Sequence, residues 1–218
     1  MKFRAVLFDL DGTLLDTIED LTDSMNAALS QMGYPGKTLE ECKILVGDGL
    51  GTFIRRSLPP SCADDPEAAR RLRELIRTEY RNRNADKTRP YPGIRELLAE
   101  LGRLGIPMAV LSNKPHDSTI EVIGKYFPTI PFCFVHGARE DVPVKPHPEG
   151  ALAISRLLKV PPAEILYVGD TNTDMQTASA AGMFAVGVLW GFRTADELRK
   201  NGARVLVARP AEILGLLE

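Results

Sequence analysis

The sequence has few cysteines, little net charge and no long apolar run. Its three cysteines, Cys42, Cys62 and Cys133, are odd in number and lack metal-ligand spacing, so we expect reduced thiols in a cytoplasmic protein. A formal net charge of −2 argues against a dedicated nucleic-acid-binding protein. No apolar run reaches the ~18 residues needed to cross a bilayer. We therefore expect neither nucleic acid nor membrane among its partners.

After residue 90, short apolar runs alternate with helical patterns. Strands are predicted at 3–9, 107–112, 132–136, 164–169 and 184–188, with a weaker one at 204–207, and helices at 93–104, 116–126, 148–158, 172–181 and 194–200. This alternation predicts an α/β fold with a Rossmann-like, doubly wound parallel sheet. In such sheets, ligands bind outside the carboxyl ends of the strands.

Residues 16–84 break this alternation, because they are predicted to be helical throughout. Asp16 is expected to cap the first helix, with Glu19 three residues later completing a capping box. The simplest architecture is an all-helical cap domain at 16–84, inserted into an α/β core formed by 1–15 and 85–218.

Two carboxylates stand two residues apart at the end of the first predicted strand. Asp9 and Asp11 follow the apolar run 5–8 and precede Gly12 and Thr13. Carboxylates are costly to bury there unless a cation and an anionic substrate accompany them.

Three further segments carry polar residues in matching contexts. They are Ser112-Asn113-Lys114 at the end of an apolar strand, Lys145 before Pro146 and a helix, and Asp170 to Asp174 after another apolar strand. With the first motif, these segments resemble the haloacid dehalogenase-like phosphohydrolases over nearly the whole chain.

This resemblance implies a role for each candidate catalytic residue. Asp9 would attack phosphorus, and Asp11 would transfer the proton. Ser112 and Asn113 would donate hydrogen bonds to the phosphoryl oxygens through the hydroxyl and the backbone N–H. Lys145 would supply the fixed positive charge that phosphoryl transfer requires, stabilising the phosphoryl group and Asp9 together.

The acidic residues also predict a metal site. Asp9, Asp11, Asp170 and Asp174 would gather up to four negative charges, so a hard divalent cation is required and Mg²⁺ is favoured. The resemblance implies that Asp9 and Asp170 bind it through carboxylates and Asp11 through its backbone carbonyl. It leaves open whether Asp174 binds the metal directly.

Plainer explanations exist for several of these residues. Asp170 and Asp174 could serve only to cap a helix, and Ser112 and Asn113 could cap the helix near Pro115. Lys114 is a weaker candidate for phosphate support. The residues Trp190 and Phe192 are expected to pack in the core or a loop.

The expected activity is Mg²⁺-dependent hydrolysis of a phosphomonoester on a small metabolite, through an aspartyl-phosphate intermediate. Residues 46–51 and 89–93 resemble the cap loop and hinge of phosphoglycolate phosphatases. A pyrophosphatase or nucleotidase, a β-phosphoglucomutase-like phosphotransferase, and a non-catalytic regulator that binds a phosphometabolite remain as alternatives. The sequence is compatible with a monomer or a homodimer.

Overall fold

The computed structural model describes residues 2–83 and 86–217, which form two compact units. One unit comprises Met1–Asp16 and Pro90–Glu218, and the other comprises Thr17–Arg89. The predicted domain boundary between residues 84 and 85 lies outside the described residues.

A six-stranded parallel sheet forms the centre of the first unit. The described strands, including two outside this sheet, are in chain order β1 (Ala5–Phe8), β2 (Leu15–Asp16), β3 (Arg89–Pro90), β4 (Met108–Pro115), β5 (Phe132–Ala138), β6 (Ile165–Gly169), β7 (Phe184–Val188) and β8 (Val205–Val207). The sheet order is β5-β4-β1-β6-β7-β8, while β2 and β3 pair separately where the chain crosses between the units. The predicted α/β fold with a parallel sheet is confirmed.

Helices follow the strands of the first unit and make up most of the second. The helices are α1 (Ile18–Gln31), α2 (Leu39–Leu45), α3 (Leu50–Ser57), α4 (Pro66–Asn82), α5 (Ile94–Arg103), α6 (His116–Tyr126), α7 (Glu149–Leu158), α8 (Asn172–Ala181) and α9 (Ala195–Lys200). Short 3₁₀ segments lie at Pro60–Cys62, Pro162–Glu164 and Pro210–Leu216. Among the helices described, none is long and apolar enough to cross a membrane.

The sheet is buried on both faces, which explains the uninterrupted apolar sequence of its central strand. Along β1, Val6 and Phe8 pack into one hydrophobic cluster, whereas Ala5 and Leu7 pack into another. All four residues are fully buried. A strand covered on both sides has no polar face, so its sequence shows no alternation.

The predicted cap on α1 is wrong. Asp16 belongs to β2, the N-cap position is Thr17, and its side chain makes no capping hydrogen bond. Pairing with β3 holds Asp16 in an extended conformation one residue before the cap position. Glu19 instead pairs with Arg89, at 3.3 Å.

In the second unit, α1 packs against α4 and α2. A buried carboxylate near the start of α1 joins this helix to the end of the unit. Asp20 is 2% exposed and accepts hydrogen bonds from the Thr88 backbone N–H at 2.7 Å and hydroxyl at 2.6 Å. The Lys87 N–H also donates to this carboxylate, at 3.2 Å. These donors satisfy a charge that would be costly to bury alone.

Candidate active site

Sheet order brings three of the predicted segments to one edge. Strand β1 lies between β4 and β6, and all three run parallel. Asp9 directly follows β1, Asp170 directly follows β6, and Ser112 lies in the last part of β4. The carboxyl ends of these strands therefore bring together residues far apart in sequence.

A buried lysine joins two of the predicted carboxylates. The Lys145 Nζ lies 2.6 Å from Asp9 Oδ1 and 2.7 Å from Asp174 Oδ1. All three residues are buried, with Lys145 only 4% exposed. Burial alone would lower the pKa of Lys145, but the charges of Asp174 and Asp9 outweigh it and hold that pKa well above its usual value. Lys145 is therefore a fixed cation in this site.

Asn113 fixes the backbone that carries Lys145. Its side-chain amide donates to the Lys145 carbonyl oxygen at 3.0 Å, and its Oδ1 accepts from the Lys145 N–H at 2.9 Å. The Asn113 side chain is thus hydrogen-bonded to the Lys145 backbone. The Asn113 group predicted to donate to phosphate is its backbone N–H. Neither Ser112 nor Asn113 caps α6, because the N-cap is Pro115, without a side-chain cap.

The Asp9 carboxyl lies in surroundings that disfavour its charged form. Burial raises its pKa well above the usual value, the charge of Asp174 adds to the rise, and Lys145 opposes it. The Lys145 ammonium therefore offsets only part of the negative charge around Asp9.

Asp170 is held by two donors from other loops. The Thr13 hydroxyl donates to its Oδ1 at 2.9 Å, and the Phe192 N–H donates to its Oδ2 at 2.8 Å. Burial, followed by the charge of Asp174, raises the pKa of Asp170 to about 7. A side chain at Gly12 or Gly191 would overlap with the Asp170 carboxylate, so both positions require glycine.

Asp174 has a structural role as well as its contact with Lys145. The N-cap Thr171 and Asp174 form a reciprocal capping box at the start of α8. The buried Tyr167 hydroxyl also donates to Asp174 Oδ1, at 3.3 Å. The capping explanation is therefore correct for Asp174, but it does not account for the ion pair with Lys145.

Three carboxylates form a group that could hold a cation. Oxygen atoms of Asp9, Asp170 and Asp174 all lie within 4.8 Å of one another, and all three residues are buried. Carboxylate oxygens are the ligands that Mg²⁺ and Ca²⁺ prefer. Three carboxylates stand against the one ammonium of Lys145, which leaves excess negative charge. Burial raises the pKa values of Asp9 and Asp170 most, and the charge of Asp174 raises both further. The donor set fits a hard divalent cation.

The Asp11 side chain lies outside this three-carboxylate group. Its Oδ1 lies 3.0 Å from Lys114 Nζ. The Lys114 N–H donates to the Ser112 hydroxyl oxygen at 3.1 Å, a local hydrogen bond that fixes Ser112 and Lys114 relative to each other. The structure thus places the two predicted catalytic aspartates beside different lysines.

Sequence reasoning missed the groups that support Asp170 and Asp174. The Thr13 hydroxyl and the Phe192 N–H contact Asp170, and Tyr167 contacts Asp174. Trp190 was expected to pack in the core or in a loop beside the site, and its indole N–H donates to the Thr13 carbonyl at 3.0 Å. The only sequence signal for the 190–192 loop was its position after a strongly apolar strand.

The chain is similar to proteins of one family over most of its length. A family model described as haloacid dehalogenase-like hydrolase matches residues 6–188. The phosphoglycolate phosphatase of Chromobacterium violaceum is 33% identical over 218 residues, which covers 99% of this chain and 96% of that relative. The phosphoglycolate phosphatase of Pseudomonas savastanoi pv. phaseolicola is 31% identical over 207 residues, covering 94% and 76%.

Solved structures share the fold at full length. A crystal structure of a provisional phosphoglycolate phosphatase from Lactobacillus delbrueckii subsp. bulgaricus aligns with a TM-score of 0.92 and 31% identity, covering 100% of this chain and 99% of that one. A hydrolase from Pseudomonas syringae aligns with a TM-score of 0.79 and 25% identity, covering 98% and 97%. The resemblance drawn from the four sequence segments is confirmed, and the chain belongs to the haloacid dehalogenase-like hydrolases as an enzyme similar to the phosphoglycolate phosphatases.

Proposed function

We propose that this enzyme is a Mg²⁺-dependent phosphomonoesterase that acts on a small phosphorylated metabolite through an aspartyl-phosphate intermediate. One observation carries the proposal. The Lys145 ammonium lies between Asp9 and Asp174, and the Asp170 carboxylate completes a buried group with excess negative charge. A nucleophilic carboxylate, a fixed cation and a set of oxygen ligands are the parts that phosphoryl transfer needs.

In the first half-reaction, Asp9 attacks phosphorus. Lys145 holds Oδ1 at 2.6 Å, so we assign the attack to Oδ2. The new O–P bond forms as the ester P–O bond breaks. Lys114 donates to Asp11 Oδ1, so we assign the proton of the starting acid to Oδ2, from which Asp11 gives it to the departing alkoxide. Ser112 and the Asn113 N–H bind the phosphoryl oxygens.

In the second half-reaction, water attacks the phosphorus of the aspartyl phosphate. Asp11 takes the proton from water, the bond between phosphorus and Asp9 breaks, and inorganic phosphate leaves. Lys145 compensates the negative charge in both halves, and Asp9 and Asp11 return to their starting protonation states.

Mg²⁺ suits the donor set described above. The carboxylates of Asp9 and Asp170 and the backbone carbonyl of Asp11 would hold it, together with Asp174. When bound, it would supply positive charge that offsets the repulsion between a phosphate dianion and these carboxylates.

The proposed substrate is 2-phosphoglycolate or a similar small phosphate ester. Support comes from the phosphoglycolate phosphatases that are 31–33% identical to this chain. We also propose a cytoplasmic location, which the three free cysteines support. A monomer or homodimer remains the proposed assembly.

The test is phosphate release, with and without Mg²⁺, from 2-phosphoglycolate, sugar phosphates, nucleotides and pyrophosphate. Asp9→Asn should abolish release, while Asp117→Asn on the exposed surface of α6 should leave it unchanged. Intact mass should show a phosphorylated chain in the wild type during turnover. Release that survives Asp9→Asn would remove Asp9 as the nucleophile. No release from any substrate would favour a non-catalytic regulator.

A further inference from the structure

We propose that Lys114 is a positioning residue that holds the Asp11 carboxylate in place for proton transfer to the leaving group. This inference rests on the proposed function, because it assumes that Asp11 is the general acid. It assigns a role to a lysine that the sequence motifs connect only with the phosphate.

The Lys114–Asp11 contact is a short and largely buried ion pair. The Nζ–Oδ1 distance is 3.0 Å, and the side chains are 6% and 14% exposed. Lysine is almost never so deeply buried unless it is paired, and a buried pair is often no more stabilising than apolar residues of similar size. The burial of Lys114 therefore indicates a functional rather than a stabilising role.

The backbone at Lys114 is fixed from both sides. Its N–H donates to the Ser112 hydroxyl oxygen at 3.1 Å, and its carbonyl accepts from the Thr119 hydroxyl at 3.2 Å. The β4–β5 register shifts between Leu111 and Pro115, and a side chain at Gly137 would overlap with the Lys114 carbonyl. A flexible lysine side chain thus starts from a well-defined position.

The two buried lysines of the site contact different carboxylates. Lys145 contacts Asp9 and Asp174, whereas Lys114 contacts Asp11. The nucleophile and the proton donor are therefore fixed independently. If Lys114 served mainly to bind phosphate, its loss would affect every phosphate ester alike. A positioning role predicts a loss that depends on the leaving group.

The leaving group separates these two roles because only some leaving groups need a proton. An alkoxide departs with difficulty unless Asp11 protonates it, whereas p-nitrophenolate is a stable anion that departs unaided. General acid catalysis typically contributes about 10²- to 10⁴-fold to rate. The ratio kcat/KM covers the steps through transfer to Asp9, so it reports the acid role without the later hydrolysis step.

The experiment compares kcat/KM for 2-phosphoglycolate and p-nitrophenyl phosphate in wild type, Lys114→Met and Lys114→Arg. For Lys114→Met, we expect kcat/KM to fall roughly tenfold or more with 2-phosphoglycolate, a loss within the range that acid catalysis contributes. With p-nitrophenyl phosphate, kcat/KM should fall less than about twofold. Lys114→Arg should recover part of the loss. Lys125→Met, at an exposed position of α6, is the matched control and should lose nothing.

A double-mutant cycle with Asp11→Asn tests the coupling. Once Asp11 cannot act as an acid, adding Lys114→Met should change kcat/KM by less than about twofold, because coupled residues are not additive. A merely structural lysine would give the same further loss in both backgrounds. Far-UV circular dichroism checks folding, and Lys114→Gln carries the same comparison if the Met variant does not fold.

Each outcome that would overturn the proposal has its own meaning. Equal loss on both esters would assign Lys114 to phosphate binding, and no loss on either would remove it from the reaction. If Asp11→Asn depends on the leaving group but Lys114→Met does not, only the role of Lys114 fails. If Asp11→Asn shows no such dependence, or the wild type hydrolyses neither ester, the proposed function fails and this inference fails with it.

Discussion

Replacing the proposed nucleophile by asparagine should abolish turnover and at the same time stabilise the metal-free protein. Asp9 is 5% exposed and shares its surroundings with Asp170 and Asp174. The change Asp9→Asn removes one negative charge from this group and keeps an oxygen that can accept from Lys145. Sites that hold charge for catalysis commonly reduce stability, so an inactive variant can be the more stable one.

The magnitude follows from the distances. With an effective dielectric constant of about 20, the Asp9–Lys145 pair at 2.6 Å is worth about 6 kcal/mol of attraction. When both are ionised, Asp170 and Asp174, within 4.8 Å, each repel Asp9 by at least about 3.5 kcal/mol, or about 7 kcal/mol together; because the pKa of Asp170 is about 7, this full repulsion applies above neutral pH. The charges therefore nearly cancel, and the cost of burying a carboxylate decides the sign. We expect Asp9→Asn to be more stable by about 1–3 kcal/mol in EDTA.

The assay is urea unfolding followed by tryptophan fluorescence. The chain has one tryptophan, Trp190, whose indole N–H donates to the Thr13 carbonyl in the same unit as Asp9. Its emission should therefore report the unfolding of that unit. The unfolding midpoint should rise in the variant with an unchanged slope. Added Mg²⁺ should reverse the order, because the wild type keeps all its carboxylate ligands.

Asp20→Asn is the matched control, since it makes the same chemical change at another buried aspartate. Asp20 accepts from the Thr88 N–H and hydroxyl and from the Lys87 N–H. An asparagine side chain would place its own N–H donors against the donors that now bind the carboxylate. This variant should therefore lose roughly 1–3 kcal/mol in free energy of unfolding, measured by far-UV circular dichroism. If Asp9→Asn is also less stable than wild type in EDTA by more than about 1 kcal/mol, charge excess does not govern this site.

Two further predictions concern the metal and the cap loop. EDTA should stop phosphate release and Mg²⁺ should restore it. At ten times its Kd, Mg²⁺ should also add about 1.4 kcal/mol to the free energy of unfolding of the wild type, but much less to that of Asp170→Asn, as measured by thermal unfolding. Activity that is indifferent to chelation would contradict the metal site. Exchanging residues 46–56 for the corresponding loop of a relative should change substrate preference more than turnover of p-nitrophenyl phosphate, measured as kcat/KM on each. Equal effects on both would remove the specificity role from this loop.

The strands most accurately predicted are those buried on both faces. The prediction of 184–188 matches β7, and 164–169 differs from β6 by one residue, because uninterrupted apolar runs mark such strands directly. Strand β4 continues to Pro115, beyond the predicted end at 112. Residues 112–114 are polar and lie within a register shift against β5, after which Pro115 pairs with Ala138. An apolar pattern does not detect such a continuation.

Parts of the candidate site were predictable from topology alone. Asp9 and Asp170 end neighbouring parallel strands, so their proximity follows from the fold class. Lys145 lies in a loop rather than at a strand end, and only the family resemblance indicated it. The contacts from Thr13 and Phe192 to Asp170 depend on how three loops meet. Such contacts have no periodic signal in the sequence.

The two buried lysines show most clearly what the sequence could not determine. The family resemblance implies that Lys145 stabilises Asp9, whereas nothing in the spacing of Lys114 indicates which carboxylate it would contact. Asn113 fixes the Lys145 backbone, and the register shift in β4 fixes that of Lys114, so local backbone geometry selects Asp9 for one and Asp11 for the other. The division matters chemically, because a nucleophile must stay ionised whereas a general acid must also release and recover a proton. Separate lysines allow each carboxylate to be oriented without constraining the other.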